Sequence, residues 1–217
     1  MAEDFFLHGL QYIGSLMNVI IIPLATIIVG RKLLKEKKAT GKLNDIRAST
    51  FFIFFSFSFL VVLEFLIRIQ VYSTPLLGNL YGGNYRSFNI YSLVTGLIAS
   101  MGITLVTLAN RWDFLQFTSL FFFGGMILLY AFTGFDAFLE PYIYFAGGGS
   151  IIFLYFTAFR VKDNGALAMA IFFTLAFGTV ILDVALITGF SVVIYNVVIL
   201  VYSLGWFKPF KQHEVIA

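Results

Sequence analysis

Residues 50–72 read TFFIFFSFSFLVVLEFLIRIQVY. The run is long enough to cross a bilayer core as one helix, since about 20 apolar residues cover about 30 Å. Two charges interrupt it, Glu64 and Arg68, one helical turn apart. An ionised side chain near the centre of a spanning helix costs roughly 2.5–3.5 kcal/mol on insertion scales. Such a pair persists where it faces a protein interior or a wet cavity. The stretch therefore poses two questions for the whole chain: how many segments resemble it, and which of them turn polar groups toward it.

Composition answers the first in outline. Of 217 residues, 60% are hydrophobic and only 12% charged, more apolar surface than a soluble domain of this size can bury. An all-α integral membrane protein is the class that fits, with the whole chain as one transmembrane domain. The absence of cysteine removes disulfides, thiol catalysis and thiolate metal sites. The net charge of +3 does not point to nucleic acid, because the charges cluster at the ends of apolar runs.

Working outward from residues 50–72, the pattern predicts seven spans, at about 6–30, 50–72, 88–109, 114–133, 141–159, 166–187 and 191–207. The acidic start, Met1-Ala2-Glu3-Asp4, is unlike a secretory leader, so the first helix is expected to be retained. A basic loop, RKLLKEKKATGKLNDIR at 31–47, follows span one. Ser73–Ser87 forms a turn-rich connection, Asn110-Arg111-Trp112-Asp113 a short one, Pro141 opens span five, and Thr188-Gly189-Phe190 turns the chain into span seven. Trp206 to Phe210 is expected to anchor the last helix at the interface. This order places Arg31, Lys32, Lys35, Lys37, Lys38, Lys42, Arg47, Arg111, Arg160, Lys162, Lys208 and Lys211 on one side. They make up 12 of the 14 basic residues. The positive-inside rule then puts the amino terminus outside and the carboxyl terminus in the cytoplasm, and the protein is expected in the plasma membrane.

An internal repeat is one alternative. Val61-Val62-Leu63-Glu64 aligns with Val180-Ile181-Leu182-Asp183, and Ile21-Ile22-Pro23-Leu24 aligns more loosely with Ile151-Ile152-Phe153-Leu154. A parallel three-plus-one-plus-three plan, with span four as connector, would follow; chance similarity between apolar helices is the competing reading.

Residues three, four or seven apart share a helix face. Polar stripes recur on span one (Gln11, Ser15, Asn18), span two (Ser56, Glu64, Arg68), span three (Asn89, Ser92, Ser100, Thr107), span six (Thr179, Asp183) and span seven (Asn196, Ser203). Amides and carboxylates in lipid must find partners. A polar pocket toward the outer half follows as an expectation, with Glu64, Arg68 and Asp183 as its charged centre. Asn18, Asn89 and Asn196 would supply its hydrogen bonds. Its ligand would be a small polar or cationic solute, or a proton taken up by a carboxyl whose pKa burial raises. The plainer reading is that small and polar residues glue the helices together. Pro23 and the triplet Gly147-Gly148-Gly149 are candidate hinges, with a static bend or close helix contact as the alternatives.

Several chemistries lack their residues. No span holds a lysine for a retinal Schiff base, and the two histidines, His8 and His213, lie near opposite ends. No nucleophile elbow or phosphate loop occurs. Only the acid pair Glu64 and Asp183 offers hydrolytic groups, and neither a cofactor nor a metal is expected.

Seven spans with an outside amino terminus is a plan shared by SWEET-type sugar facilitators and by receptor and opsin families. The basic stretch from Arg31 to Thr40-Gly41, following Pro23, resembles the first inner loop of the facilitators. Pro23-Leu24 stands where they carry Pro-Gln or Pro-Val, and the tryptophan expected in their second span is absent. The leading expectation is thus a small-solute or proton-coupled transporter or channel-like protein. The alternatives are a seven-helix sensor or receptor with a protein partner at the basic loop 31–47, and an accessory subunit of a larger membrane complex. The bilayer itself is the other partner: anionic lipid attracts a basic loop.

Overall fold

The computed structural model describes residues 2–70, 90–115, 117–133, 136–181 and 185–210. Side chains are described for all of these except 2–8, 11, 12, 64, 66–70, 90–92, 133, 136–138, 140, 180, 181 and 185. Among the described residues there is no strand. The α-helices are α1 (Ala2–Thr40), α2 (Asp45–Gln70), α3 (Ile90–Asn110), α4 (Thr118–Thr133), α5 (Asp136–Val161), α6 (Asn164–Ile181) and α7 (Ala185–Leu204), with one 3-10 turn at Asp113–Leu115. Six helical segments are long and apolar enough to cross a membrane, and the apolar part of α6, Asn164–Thr179, is shorter.

The boundaries correct the sequence reading in three places. The basic stretch after span one is not a loop: α1 continues to Thr40. Its 39 residues make a rod of about 58 Å, longer than the bilayer core. The continuation follows from RKLLKEKK, good helix formers without glycine or proline. Gly41, at φ 70°, stops the helix with its N–H bonded 2.9 Å from the Lys37 carbonyl. Pro141 does not open its helix, because α5 begins five residues earlier, at Asp136. Thr188-Gly189-Phe190 is not a turn but lies inside α7. There Gly189 is a packing residue: a Cβ on it would lie 2.8 Å from Leu10.

Helix ends are closed by local chemistry. Asn44 Oδ1 accepts the Arg47 N–H at 3.1 Å at the start of α2, and Asp163 Oδ1 accepts the Gly165 N–H at 2.7 Å at the start of α6. The last turns of α3, α5 and α7 are closed alike, by bonds from Trp112, Asp163 and Trp206 back to Thr107, Ala158 and Val201. The left-handed residue is Arg111, Lys162 or Gly205 respectively.

Six helices close into a ring. α1 packs on α2, α2 on α3, α3 on α5, α5 on α6, α6 on α7, and α7 returns to α1. α4 stands outside it, against α3 and α5. It is seated by two glycines: Gly96 leaves room for Met126, and Gly125 admits the Tyr142 hydroxyl. The Phe122 and Tyr142 rings stack there at 4.6 Å. Where α1 crosses α7, Gly14 faces Val192 and Gly189 faces Leu10, so at these two positions neither helix has room for a Cβ.

The ring is filled by Ile53, Phe54, Met169, Phe172, Tyr195 and Ile199, all nearly inaccessible. Phe172 meets Phe54, Phe57 and Tyr195 edge-on. The outward faces are also apolar. On α1, Ile13, Leu16, Ile20, Leu24 and Ile27 are exposed, while Ala25 and Thr26 are buried. Ile22 and Val29 are buried with them, so large aliphatic groups stand on both faces, with small and polar ones only inside, as suits a bundle dissolved in lipid. Buried hydroxyls mostly return to their own helix: Thr26 donates to the Ile22 carbonyl, Ser58 to Phe54, Ser150 to Ala146 and Thr157 to Phe153, all within 2.9 Å.

The repeat suggested by the sequence does not hold in its register for the α1–α5 pair. That alignment sets Ile22, 0% exposed, over Ile152, 69% exposed. A shift of two residues brings Ile22 onto the buried Leu154, and Thr26 onto the buried Ala158.

Candidate functional site

Two cavities lie one beyond the other along the ring. The larger, about 560 Å3, opens where α1 leaves the bundle, α2 and α6 begin, and α3, α5 and α7 end. Its floor is Val29, Thr50, Leu105 and Met169, and its wall carries Lys32, Arg47, Lys162 and Lys208. Among the described residues Asp163 is the only carboxylate lining it, and its Oδ1 is engaged in capping α6. Arg47 pairs with Glu36. Lys32 Nζ donates at 2.7 Å to the Ser203 carbonyl at the end of α7, a cation against a helix C-terminus. Beyond the apolar run of α1, this ammonium has its pKa lowered, chiefly by burial and secondly by the nearby Arg47 charge. Lys162 and Lys208 have no hydrogen-bond or ion-pair partner among the described residues.

Asn164 forms a reciprocal pair with the backbone of Phe210. Its Nδ2 donates to the carbonyl at 3.0 Å and its Oδ1 accepts the N–H at 2.7 Å. That clamp holds the segment after α7, with Lys208, against the start of α6.

The second cavity is about 130 Å3, lined by Phe57, Leu60, Ile98, Ile143, Phe173 and Phe177, with Thr95 and Tyr144 as its polar members. On α2 one passes from Thr50 in the first cavity to Phe57 in the second, and on α6 from Met169 to Phe172. Phe54, which lines neither cavity, meets Phe172, which lines the second, edge-on at 6.1 Å between ring centroids.

Of the site residues read from the sequence, the structure brings two together. Asn18 of α1 and Asn196 of α7 meet through a hydrogen bond from Asn196 Nδ2 to Asn18 Oδ1, and the Tyr195 hydroxyl donates to the same oxygen at 2.8 Å. Asn196 Nδ2 also reaches the Val192 carbonyl at 2.8 Å. With both donors used, Asn196 Oδ1 is buried without a partner among the described residues. Neither asparagine lines either cavity described above. Asn89, Asp183 and the side chains of Glu64 and Arg68 lie outside the described residues. Both candidate hinges are helical: α1 runs through Pro23, and α5 runs through Gly147, Gly148 and Gly149. A Cβ on Gly147 would touch Phe177 at 3.8 Å, whereas one on Gly148 or Gly149 would meet open space.

The residues of the larger cavity were legible only as a topology signal, because positive charge at span ends is expected of any membrane protein. One sequence feature does point to them. Both helices that begin there open on a lysine followed closely by a capping residue, Lys42-Leu43-Asn44 before α2 and Lys162-Asp163-Asn164 before α6. Caps tie these segments down, and Lys162 beside the second is carried to the mouth, whereas Lys42 beside the first does not line it.

An all-helical bundle with six helices apolar enough to span is the make-up of a multi-pass membrane protein. No protein-family model, no curated protein and no solved structure matches the chain.

Proposed function

We propose that this is a seven-span membrane protein, amino terminus outside and carboxyl terminus in the cytoplasm, that passes a small polar solute along the axis of its helix ring. The observation that carries the reading is the closed ring of six helices, open at one end into a cavity of about 560 Å3, with the Phe54–Phe172 contact taken in this proposal as the plug beyond it. An open mouth and an aromatic plug are what a transporter closed on one side presents. The orientation draws on the charge asymmetry along the sequence. Four cations at the mouth favour a neutral or anionic solute over the cationic one that the acids alone suggest. In this reading Glu64, Arg68, Asn89 and Asp183 lie toward the outer half of their spans by sequence position, and a carboxyl among them would couple proton movement to the solute.

The cyclic order also supports a three-plus-one-plus-three plan. Going round the ring, α1, α2 and α3 are followed by α5, α6 and α7, and the connecting helix α4 stands outside. Each helix then faces its counterpart across the axis, as parallel repeats do.

Uptake into proteoliposomes tests the proposal, with wild type compared with Asp183→Asn. Flux in the wild type and reduced proton coupling in the variant are expected. Identical passive leak in protein-free, wild-type and variant liposomes, for polar solutes and for an imposed proton gradient, would end it.

The position of α4 favours one second reading. With Phe117, Leu120, Phe121, Leu128 and Phe132 exposed outside the ring, α4 offers a packing surface for a neighbouring membrane subunit. A larger complex on gentle extraction, dispersed by polar substitutions on that face, would support an accessory subunit. A discrete monomer with flux would support the transporter.

A further inference from the structure

We propose that the cavity at the basic end binds a phosphate-bearing anion, with Lys162 and Lys208 as direct ligands and Lys32 and Arg47 completing the positive wall. The cavity is of the size that holds small ligands, which runs from about 300 to 1,000 Å3, at about 560 Å3.

Charge balance selects the chemistry. Among the described residues, four cations line the cavity. Against them stand Asp163, committed to the α6 cap, and Glu36, committed to Arg47. Two positive charges are left over, and a phosphate monoester or inorganic phosphate carries about −1.5 to −2 near neutral pH. A monocarboxylate would leave the wall unbalanced. Lys32 is engaged by a neutral carbonyl and by no carboxylate among the described residues, so no partner offsets it in this count. Thr50, Asn44 and Asn164 line the same space.

Positive charge at the inner ends of spans needs no ligand in general, because it sets topology and offsets helix C-termini. Arg31, Lys35, Lys37, Lys38, Arg111 and Arg160 do that work without lining the cavity. Lys32, Arg47, Lys162 and Lys208 come from four separate regions of the chain and converge on one concave space. A field concentrated in a cleft attracts a counter-ion more strongly than the same charges spread over a surface. The phosphate has two chemical sources, a soluble phosphate compound or the headgroup of an anionic lipid in the adjoining leaflet.

The cavity is also the mouth in the transport reading. Binding is measured without a gradient or flux, so either idea can fail alone. Thermal unfolding of the purified protein is followed in neutral detergent with sodium phosphate or pyrophosphate, against chloride at equal ionic strength. A parallel set uses nanodiscs of phosphatidylcholine with and without phosphatidic acid. Saturable stabilisation is expected in at least one set. The double variant Lys162→Gly and Lys208→Gln should raise the half-saturating concentration at least about tenfold, as expected for losing a charge-assisted contact. Glycine keeps the left-handed backbone of Lys162, φ 54°. Should the pair not fold, Lys208→Gln alone is read the same way. A second pair, Lys37→Gln and Lys38→Gln, removes as much charge from outside the cavity and should leave the response intact. Stabilisation by soluble phosphate assigns a soluble ligand, and stabilisation by phosphatidic acid alone assigns a lipid headgroup. No stabilisation from either source, or equal weakening by the two double variants, overturns the proposal.

Discussion

At the scale of single residues, Asn18 shows how an amide is accommodated in a lipid-embedded bundle. Its Oδ1 accepts from both Tyr195 and Asn196, so one oxygen satisfies donors on two successive residues of α7. Asn18→Ala removes the acceptor that both donors share, and a loss of about 1–2 kcal/mol in unfolding free energy is expected. The double variant with Asn196→Ala should cost less than the sum of the two single changes, because the partners are then removed together. Chemical denaturation in mixed micelles reads both. Arg111 is the opposite case. It is exposed and sits at φ 56°, a conformation that costs a residue with a Cβ about 1 kcal/mol. Arg111→Gly should recover most of that, seen as a higher melting temperature. The asparagine stripe was legible in the sequence because polar residues seven apart on apolar helices stand out. The left-handed positions were not, since a lysine or arginine at a helix end gives no sign of its dihedral angle.

At the scale of helices, glycine placement separates packing from freedom. Gly189→Val pushes α7 away from Leu10 and should destabilise by about 1–3 kcal/mol, as overpacking does. Gly148→Ala meets no neighbour within 4 Å and removes a helix-weakening residue. It should raise stability by about 0.5–1 kcal/mol. The pair Gly148→Ala and Gly149→Ala also tests the hinge expectation. If α5 bends there during a transport cycle, stability rises while flux falls, and a rise in both removes that role. The helical extension of α1 to Thr40 is not decided by the composition of residues 31–40. Basic, exposed residues suit either state, and only the lack of a breaker before Gly41 favoured the helix.

For the whole molecule, orientation and plug are the testable properties. The chain has no cysteine, so single introduced cysteines report sidedness directly. Lys42→Cys should react with an impermeant maleimide only from the cytoplasmic face, and Ala2→Cys only from the outside. The reverse pattern would invert the proposed topology. Phe172→Ala removes the ring that touches Phe54, Phe57 and Tyr195 and brings the two cavities toward continuity. It should increase solute leak through reconstituted protein, with a stability cost of about 3–5 kcal/mol.

By itself the sequence determined the class of molecule and the rough position of its helices, because a run of apolar residues long enough for the bilayer has few other uses. It also showed that the basic residues cluster at the ends of the apolar runs. What only the tertiary structure decided is which helices touch. The ring of six with α4 outside, the meeting of Asn18 with Asn196, and the convergence of Lys32, Arg47, Lys162 and Lys208 on one cavity depend on contacts between distant segments. Lipid makes outward and inward faces alike apolar, so the usual contrast between buried and exposed sides is erased. Helix order is then set by the fit of small residues such as Gly14 and Gly189 against particular neighbours.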